Sequence, residues 1–284
     1  MKLLSLRTGR LGLDLAPQAG GSIARFTAGS FDLMRPATPE ALASGRGNDT
    51  ACYPLVPFSG RIAHGRLVFD GTQIQLKPNW PGVRHPMHGD GWAKPWTVLA
   101  SDGHSADLLY AHDGKEGWPF RYRARQTFRL EDDALTVRMS VENLENHAVP
   151  AGMGLHPFFT REGDAELACR TQYAWLTDAE VLPVERIAVP HRWDFSAARP
   201  VDDVVVDSGF EGWDGKATIA WPRAGLRLEM TATEPFRDLI IYIPPGRPFF
   251  CVEPVSHMPG ALGATRLVAG ATLAGEVVFR LSNL

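Results

Sequence analysis

YRARQTFRLEDDALTVRMSVENL, residues 122–144, decides the fold class. On both sides of Glu131–Asp133 apolar and polar residues alternate, which is the period of a half-buried strand. The acidic triplet supplies the turn, so the stretch reads as an antiparallel hairpin. The same signs recur outward from it. LLSLRTGRLGLDL (3–15) reads as two short strands about Gly9, and RLVFDGTQIQL (66–76) places Asp70-Gly71 between two extended runs. RLEMTATEPFRDLIIYIPPG (227–246) and ATLAGEVVFRLSNL (271–284) continue the pattern. Helical periodicity is almost absent; the best candidate is Thr38–Ser44, with Thr38 as N-cap. With 28 Gly and 22 Pro spread throughout, turn residues separate short strands from end to end. The expectation is an all-β protein, a large antiparallel β-sandwich with very little helix. No linker, low-complexity segment, charge block or repeat divides it, so residues 1–284 read as one domain. Two stretches lack clear strands, Thr38–Arg66 and Asn79–Pro95, and irregular loops on a rigid scaffold are where function concentrates.

The 284 residues are 21% charged and 44% hydrophobic, as in ordinary globular proteins. A formal net charge of -3 gives no basic excess for nucleic acid or an anionic membrane. Arg7 and Arg10 interrupt the apolar residues of the N-terminus, leaving no signal-peptide core, and no run approaches a membrane span. Cys52, Cys169 and Cys251 are few, odd in number and far apart, which predicts a reducing compartment and buried thiols. The expected location is the cytoplasm.

Five stretches carry candidate chemistry. In RHPMHGDGW (84–92), Pro86 excludes the helix that would converge His85 and His88 on a metal, so no metal site is expected. His85 reads as a loop residue. Gly89 and Gly91 let the backbone beside His88 approach a ligand, and Trp92 reads as structural. In GMGLHPFF (152–159), His156 is either a satisfied core histidine or a general acid tuned by its aromatic setting. In FFCVEPVSHMPG (249–260), Glu253 interrupts an apolar run, which points to function because unpaired carboxylates are rare there. VDSGFEGWDG (206–215) reads as a loop in which Asp207 can accept hydrogen bonds and Asp214-Gly215 makes a turn. PFSGRIAHGRLVFDG (57–71) offers Arg61. His, Glu, Asp and Arg beside aromatic residues suit a sugar, whose ring faces stack while its hydroxyls are hydrogen-bonded. Phosphate-binding glycine loops and a G-x-S-x-G elbow are missing.

In this order, the five stretches resemble the aldose 1-epimerase (galactose mutarotase) family over most of the chain. That resemblance implies a galactose mutarotase-like supersandwich, a monosaccharide substrate, no cofactor, and a monomer or homodimer. It implies Glu253 as general base, His156 as general acid, and His88 as a second imidazole at the ring oxygen or an adjacent hydroxyl. Arg61 and Asp207 would hold sugar hydroxyls. The base should be ionised and the acid protonated near neutral pH, each charge supporting the other. Gly60 departs from the family pattern, which often has Asn before the arginine. Rival readings are a hexose 6-phosphate 1-epimerase, for which Arg84, Arg161 and Lys94 are the nearby cations, and a non-catalytic sugar-binding module. A glycoside hydrolase using Asp207 and Glu253 would leave both histidines unexplained.

Overall fold

The computed structural model describes residues 2–80 and 82–284. Two large sheets, of eleven and nine strands, and one two-stranded hairpin carry the chain. Their pairings are antiparallel. The hairpin that decided the fold class is Arg121–Leu130 against Ala134–Asn143, inside the nine-stranded sheet. Tyr122, Ala124, Gln126, Phe128 and Leu130 are buried, while Arg123, Arg125 and Arg129 face outward. Arg123 meets Glu142 on the next strand at 2.9 Å and Arg125 meets Asp107, which keeps this outer face charged and wetted. Such exposed pairs contribute only tenths of a kcal/mol each.

The two sheets pack face to face. Phe26 and Phe159 of the larger sheet meet Phe279 of the smaller edge-on, with centroids 6.4 and 6.3 Å apart. In the strand Phe249–Val255, Phe250 and Val252 enter this core, so Phe249, Cys251, Glu253 and Val255 take the opposite face. That face is not solvent. Trp92 and Met258 cover it from loops and form a second buried cluster with Tyr53, Phe158 and Cys251. Hence Glu253 stands between apolar neighbours: both faces of its strand are buried.

Thr38 caps the short helix Pro39–Ala43, its Oγ1 accepting from the Ala41 N–H at 3.2 Å. Asp70 and Gly71 turn the hairpin Arg66–Phe69/Thr72–Gln75 with φ of 47° and 74°. Two expectations need correction. The segment Thr38–Arg66 contains a strand, Cys52–Leu55, that lies within the larger sheet and is wholly buried. Four residues with a central proline give no alternation to read. Val206–Glu211 is also a strand, not a loop, paired with Asp238–Ile243. No helix among the described residues is long and apolar enough to cross a membrane.

Candidate active site

Five neighbouring strands of the larger sheet build the floor of a cavity. In spatial order they are Cys52–Leu55, Gly154–Thr160, Phe249–Val255, Asp238–Ile243 and Val206–Glu211. Tyr53 lies opposite His156, Phe158 opposite Cys251, Cys251 opposite Tyr242, and Tyr242 opposite Asp207. The period of two therefore sets these side chains in a row on the face away from the sandwich core. The cavity has a volume of about 500 Å³, within the usual range for small-molecule sites. Arg61, His88, His156, Asp207 and Glu253 all line it, so the five residues singled out in the sequence meet in one place.

At its centre the Nε2 of His156 lies 3.2 Å from Glu253 Oε1, with side chains 10% and 2% exposed. The imidazole packs against Tyr53 and Phe158, each centroid 4.6 Å away. Burial pushes the Glu253 carboxyl well above the usual carboxylate range; Asp207 adds to this and Arg61 opposes it. Burial likewise holds the His156 imidazolium well below its ordinary value, and His88 and Arg35 add to the effect. Burial thus favours the uncharged form of each partner, a protonated carboxyl beside a neutral imidazole with one proton between them, over the carboxylate and imidazolium expected from the sequence. The sequence implies their mutual attraction, whereas the burial of both partners follows only from the loops that cover the strand. Glu253 Oε2 and His156 Nδ1 are buried without any hydrogen-bond partner. Unpaired buried polar atoms are costly, and two on one pair mark a site that a ligand completes.

Cys251 adds a thiol to this pair, the three ligand atoms lying within 4.8 Å of one another. Burial drives the thiol well above its ordinary value. A soft divalent ion would fit the three donors only by expelling that proton.

His88 enters from the loop above. The ring Nδ1 accepts the N–H of Gly60 at 3.2 Å, and the backbone N–H of His88 donates to the Gly60 carbonyl at 3.0 Å. Burial, then Arg61, push its pKa down to about 3. The ring is thus neutral, and because Nδ1 accepts, Nε2 carries the hydrogen. Gly60 has φ of 69°, and a Cβ there would lie 2.7 Å from Pro259 Cγ, so the Asn common in the family has no room. Asp207 is half-buried, its carboxyl raised by burial against the opposing field of Arg61.

Asp90 ties the His88 loop to the second sheet. Its carboxylate accepts from the hydroxyls of Tyr110 and Tyr122, each at 2.5 Å, and lies 2.8 Å from His112 Nδ1. His85, by contrast, lies outside the cavity. It is 2% exposed and its Nδ1 accepts the His64 N–H at 2.9 Å. Trp92 is fully buried and donates to the Gly89 carbonyl at 3.1 Å. The turn at Asp214-Gly215 forms, Asp214 accepting the Lys216 N–H at 3.0 Å.

Several cavity residues had no distinctive sequence signal: Trp80, Trp175, Tyr242, Arg35 and Arg247. Trp80 packs at a tilt of 38° against Trp92, centroids 4.8 Å apart, and Trp175 donates to Glu211 at 2.8 Å, so both rings are held at the cavity wall. Only the register and the loop paths bring them there.

A family model described as aldose 1-epimerase matches residues 2–271. The uncharacterised Escherichia coli (strain K12) protein YphB is 34% identical over 267 residues, covering 91% of this chain and 89% of YphB. The uncharacterised YihR of the same organism is 24% identical over 259 residues, 86% of this chain and 81% of YihR. A solved structure of a candidate aldose 1-epimerase from E. coli K12 superposes with a TM-score of 0.91 at 32% identity, covering 100% and 99% of the two chains. Galactose 1-epimerase from Lactobacillus acidophilus NCFM shares the fold, with a TM-score of 0.83 at 16% identity over 99% and 94%.

Proposed function

The chain belongs to the aldose 1-epimerase family, and we propose that it interconverts the α and β anomers of an aldose by acid–base ring opening. The observation that carries this reading is the buried His156–Glu253 contact of 3.2 Å, with one atom of each partner left unsatisfied. Ring opening takes a proton from the C1 hydroxyl and gives one to the ring oxygen. When a sugar docks, its C1 hydroxyl donates to Glu253 and stabilises the ionised carboxylate, and the shared proton passes to His156. Glu253 then accepts the C1 proton while His156 protonates the ring oxygen. The chain now holds an open aldehyde, a protonated Glu253 and a neutral His156. After rotation about C1–C2, His156 takes the proton of the C5 hydroxyl and Glu253 protonates the carbonyl oxygen. Closure on the other face leaves the ionised pair, and the proton returns from His156 to Glu253 as the product departs. Each positioned group contributes about 10²–10⁴-fold.

His88 is a neutral donor in this scheme, its Nε2–H directed to the ring oxygen or a neighbouring hydroxyl. Arg61 and Asp207 hold hydroxyls, and Trp80 and Trp175 offer apolar faces to the ring. The atoms balance without a redox step or group transfer, so the scheme needs no cofactor and no metal. Residues 1–284 act as one unit in it. The cytoplasm is its location, a reading supported by three buried, unpaired cysteines.

The test is anomer exchange by NMR at neutral pH with a chelator present, on glucose, galactose, arabinose, xylose and fucose. Exchange well above the spontaneous rate supports the reading. A folded protein that accelerates none of these sugars, nor the charged ones considered below, refutes it.

A further inference from the structure

Acid–base chemistry on a neutral sugar leaves two guanidinium groups of the cavity unused. Three arginines line it, Arg35, Arg61 and Arg247, together with the carboxyl groups of Asp49, Asp207 and Glu253. Burial favours the protonated form of Glu253, and Asp207 lies in the field of Arg61. Arg35 and Arg247 remain, both on the cavity wall, with exposed Asp49 also lining it. Neither guanidinium forms an ion pair with a carboxylate among the described residues. Arg247 is exposed and solvated, but Arg35 is half-buried. Its guanidinium carbon lies 4.0 Å from the Phe158 ring centroid and 4.7 Å from that of Phe249, and one nitrogen donates to the Thr50 carbonyl at 2.9 Å. Two aromatic faces and one carbonyl fix the group in place and leave its charge without a counter-ion. The Phe158 ring that supports it is the one stacked on His156 at 4.6 Å, so the cation and the acid–base pair are one aromatic ring apart.

The cations nearest the motifs in sequence do not do this. Arg84 pairs with Glu180 at 3.4 Å, Lys94 with Glu116 at 2.9 Å, and Arg161 with Asp202 at 2.5 Å, and none lines the cavity. A guanidinium held rigid, partly desolvated and unpaired in a cavity that a second guanidinium also lines is suited to receiving an oxyanion.

We propose that the cavity takes aldoses bearing an anionic oxygen group, a carboxylate or a phosphate ester, and that Arg35 and Arg247 form its seat. This deepens the epimerase reading and rests on it for the turnover arm of the test. Arg35 supplies the preset contact; Arg247, at the open rim, closes on the anion from the solvent side.

The experiment compares glucose, glucuronate and glucose 6-phosphate, and galactose with galacturonate. Anomer exchange gives kcat/KM and calorimetry gives binding independently of turnover, for wild type, Arg35→Met and Arg247→Met. Methionine keeps the apolar stem that packs on Phe158 and Phe249. The expected result is a kcat/KM at least about tenfold higher for a charged sugar than for its neutral parent, lost in both variants as a fall in that ratio. Preference for the uronates or for the phosphate ester identifies the source of the anion. Neutral sugars turned over as well as every charged one overturn the proposal and leave the epimerase reading standing. Tight binding of a charged sugar that Arg35→Met abolishes, with no exchange on any sugar, sustains the seat and overturns the epimerase reading. Neither binding nor exchange overturns both.

Discussion

Replacing Glu253 with glutamine separates a reacting carboxyl from a structural one, because the two roles change stability in opposite directions. The side chain is 2% exposed and its Oε2 is buried without a partner. Burial raises its folded-state pKa above the unfolded value of about 4.3, so folding favours the protonated form. The stabilising contribution of that protonation is complete below about pH 4.3 and is lost as pH rises through the folded value. Glutamine has nearly the shape of the protonated acid, can still donate toward His156 Nε2, and does not titrate. Glutamine keeps a polar atom at the unsatisfied position, so the difference in stability comes from titration alone. Relief of about 1–2 kcal/mol at neutral pH raises Tm by about 2–6 °C for a chain of this size. The gain should vanish near pH 4 and open as pH rises. Over the same range the variant loses the base, and anomer exchange falls by about 10²–10⁴-fold. Scanning calorimetry across pH and NMR exchange read the two quantities separately. A variant that keeps more than about a tenth of the rate, or that melts several degrees lower at neutral pH, refutes the reasoning and makes Glu253 part of the framework.

The pH–rate profile should stay level through about pH 6.5, because a desolvated pair sharing one proton resists both gaining a second and losing the first. An activity that drops on raising pH through that value returns His156 to an ordinary imidazolium acid. Asp90→Asn removes the charged acceptor of Tyr110, Tyr122 and His112, and should cost about 3–5 kcal/mol, or about 6–20 °C in Tm. Burial works against the His112 imidazolium, but the hydrogen bond and charge of Asp90 outweigh it and raise its pKa. That contribution is full below about pH 6.5 and lost as pH rises through the folded value, so the gap between variant and wild type should narrow there. An unchanged melting curve would show that the network carries nothing. Gly60→Asn, which restores the common family residue, should lower Tm by about 2–8 °C and raise KM, since φ of 69° and Pro259 both oppose a side chain. A variant as stable and active as wild type would mean that the loop yields freely.

The fold and the site were legible to different depths, for physical reasons. Arg121–Leu130 and Ala134–Asn143 announce themselves because one face meets the core and the other meets water. The strands under the site do not alternate, because loops bury the face that solvent would otherwise wet. Cys52–Leu55 is buried at all four positions and so carries no alternation, although it brings Tyr53 against His156. Glu253 was visible for the same reason in reverse: a carboxyl among buried apolar residues has few structural excuses. Its charge state was not visible, since desolvation depends on Trp92, Met258 and their loops, which are far from it in the chain.

The cations show where reading by proximity along the chain fails. Arg84, Lys94 and Arg161 lie beside the motifs, yet each is spent on a carboxylate elsewhere. Arg35 lies in none of the motifs. It reaches the cavity because its backbone N–H donates to the Phe158 carbonyl at 2.8 Å, which carries its side chain over the Phe158 and Phe249 rings. A sequence reports which charges a chain possesses, while partnering decides which of them remain available to a substrate. In this cavity burial favours the uncharged acid–base pair, while the guanidinium on the far side of the Phe158 ring has no carboxylate partner among the described residues. The site's reactive groups and its attraction for an anion are therefore set by separate residues. Substitution at Arg35 should move substrate preference, and substitution at Glu253 should move the chemistry.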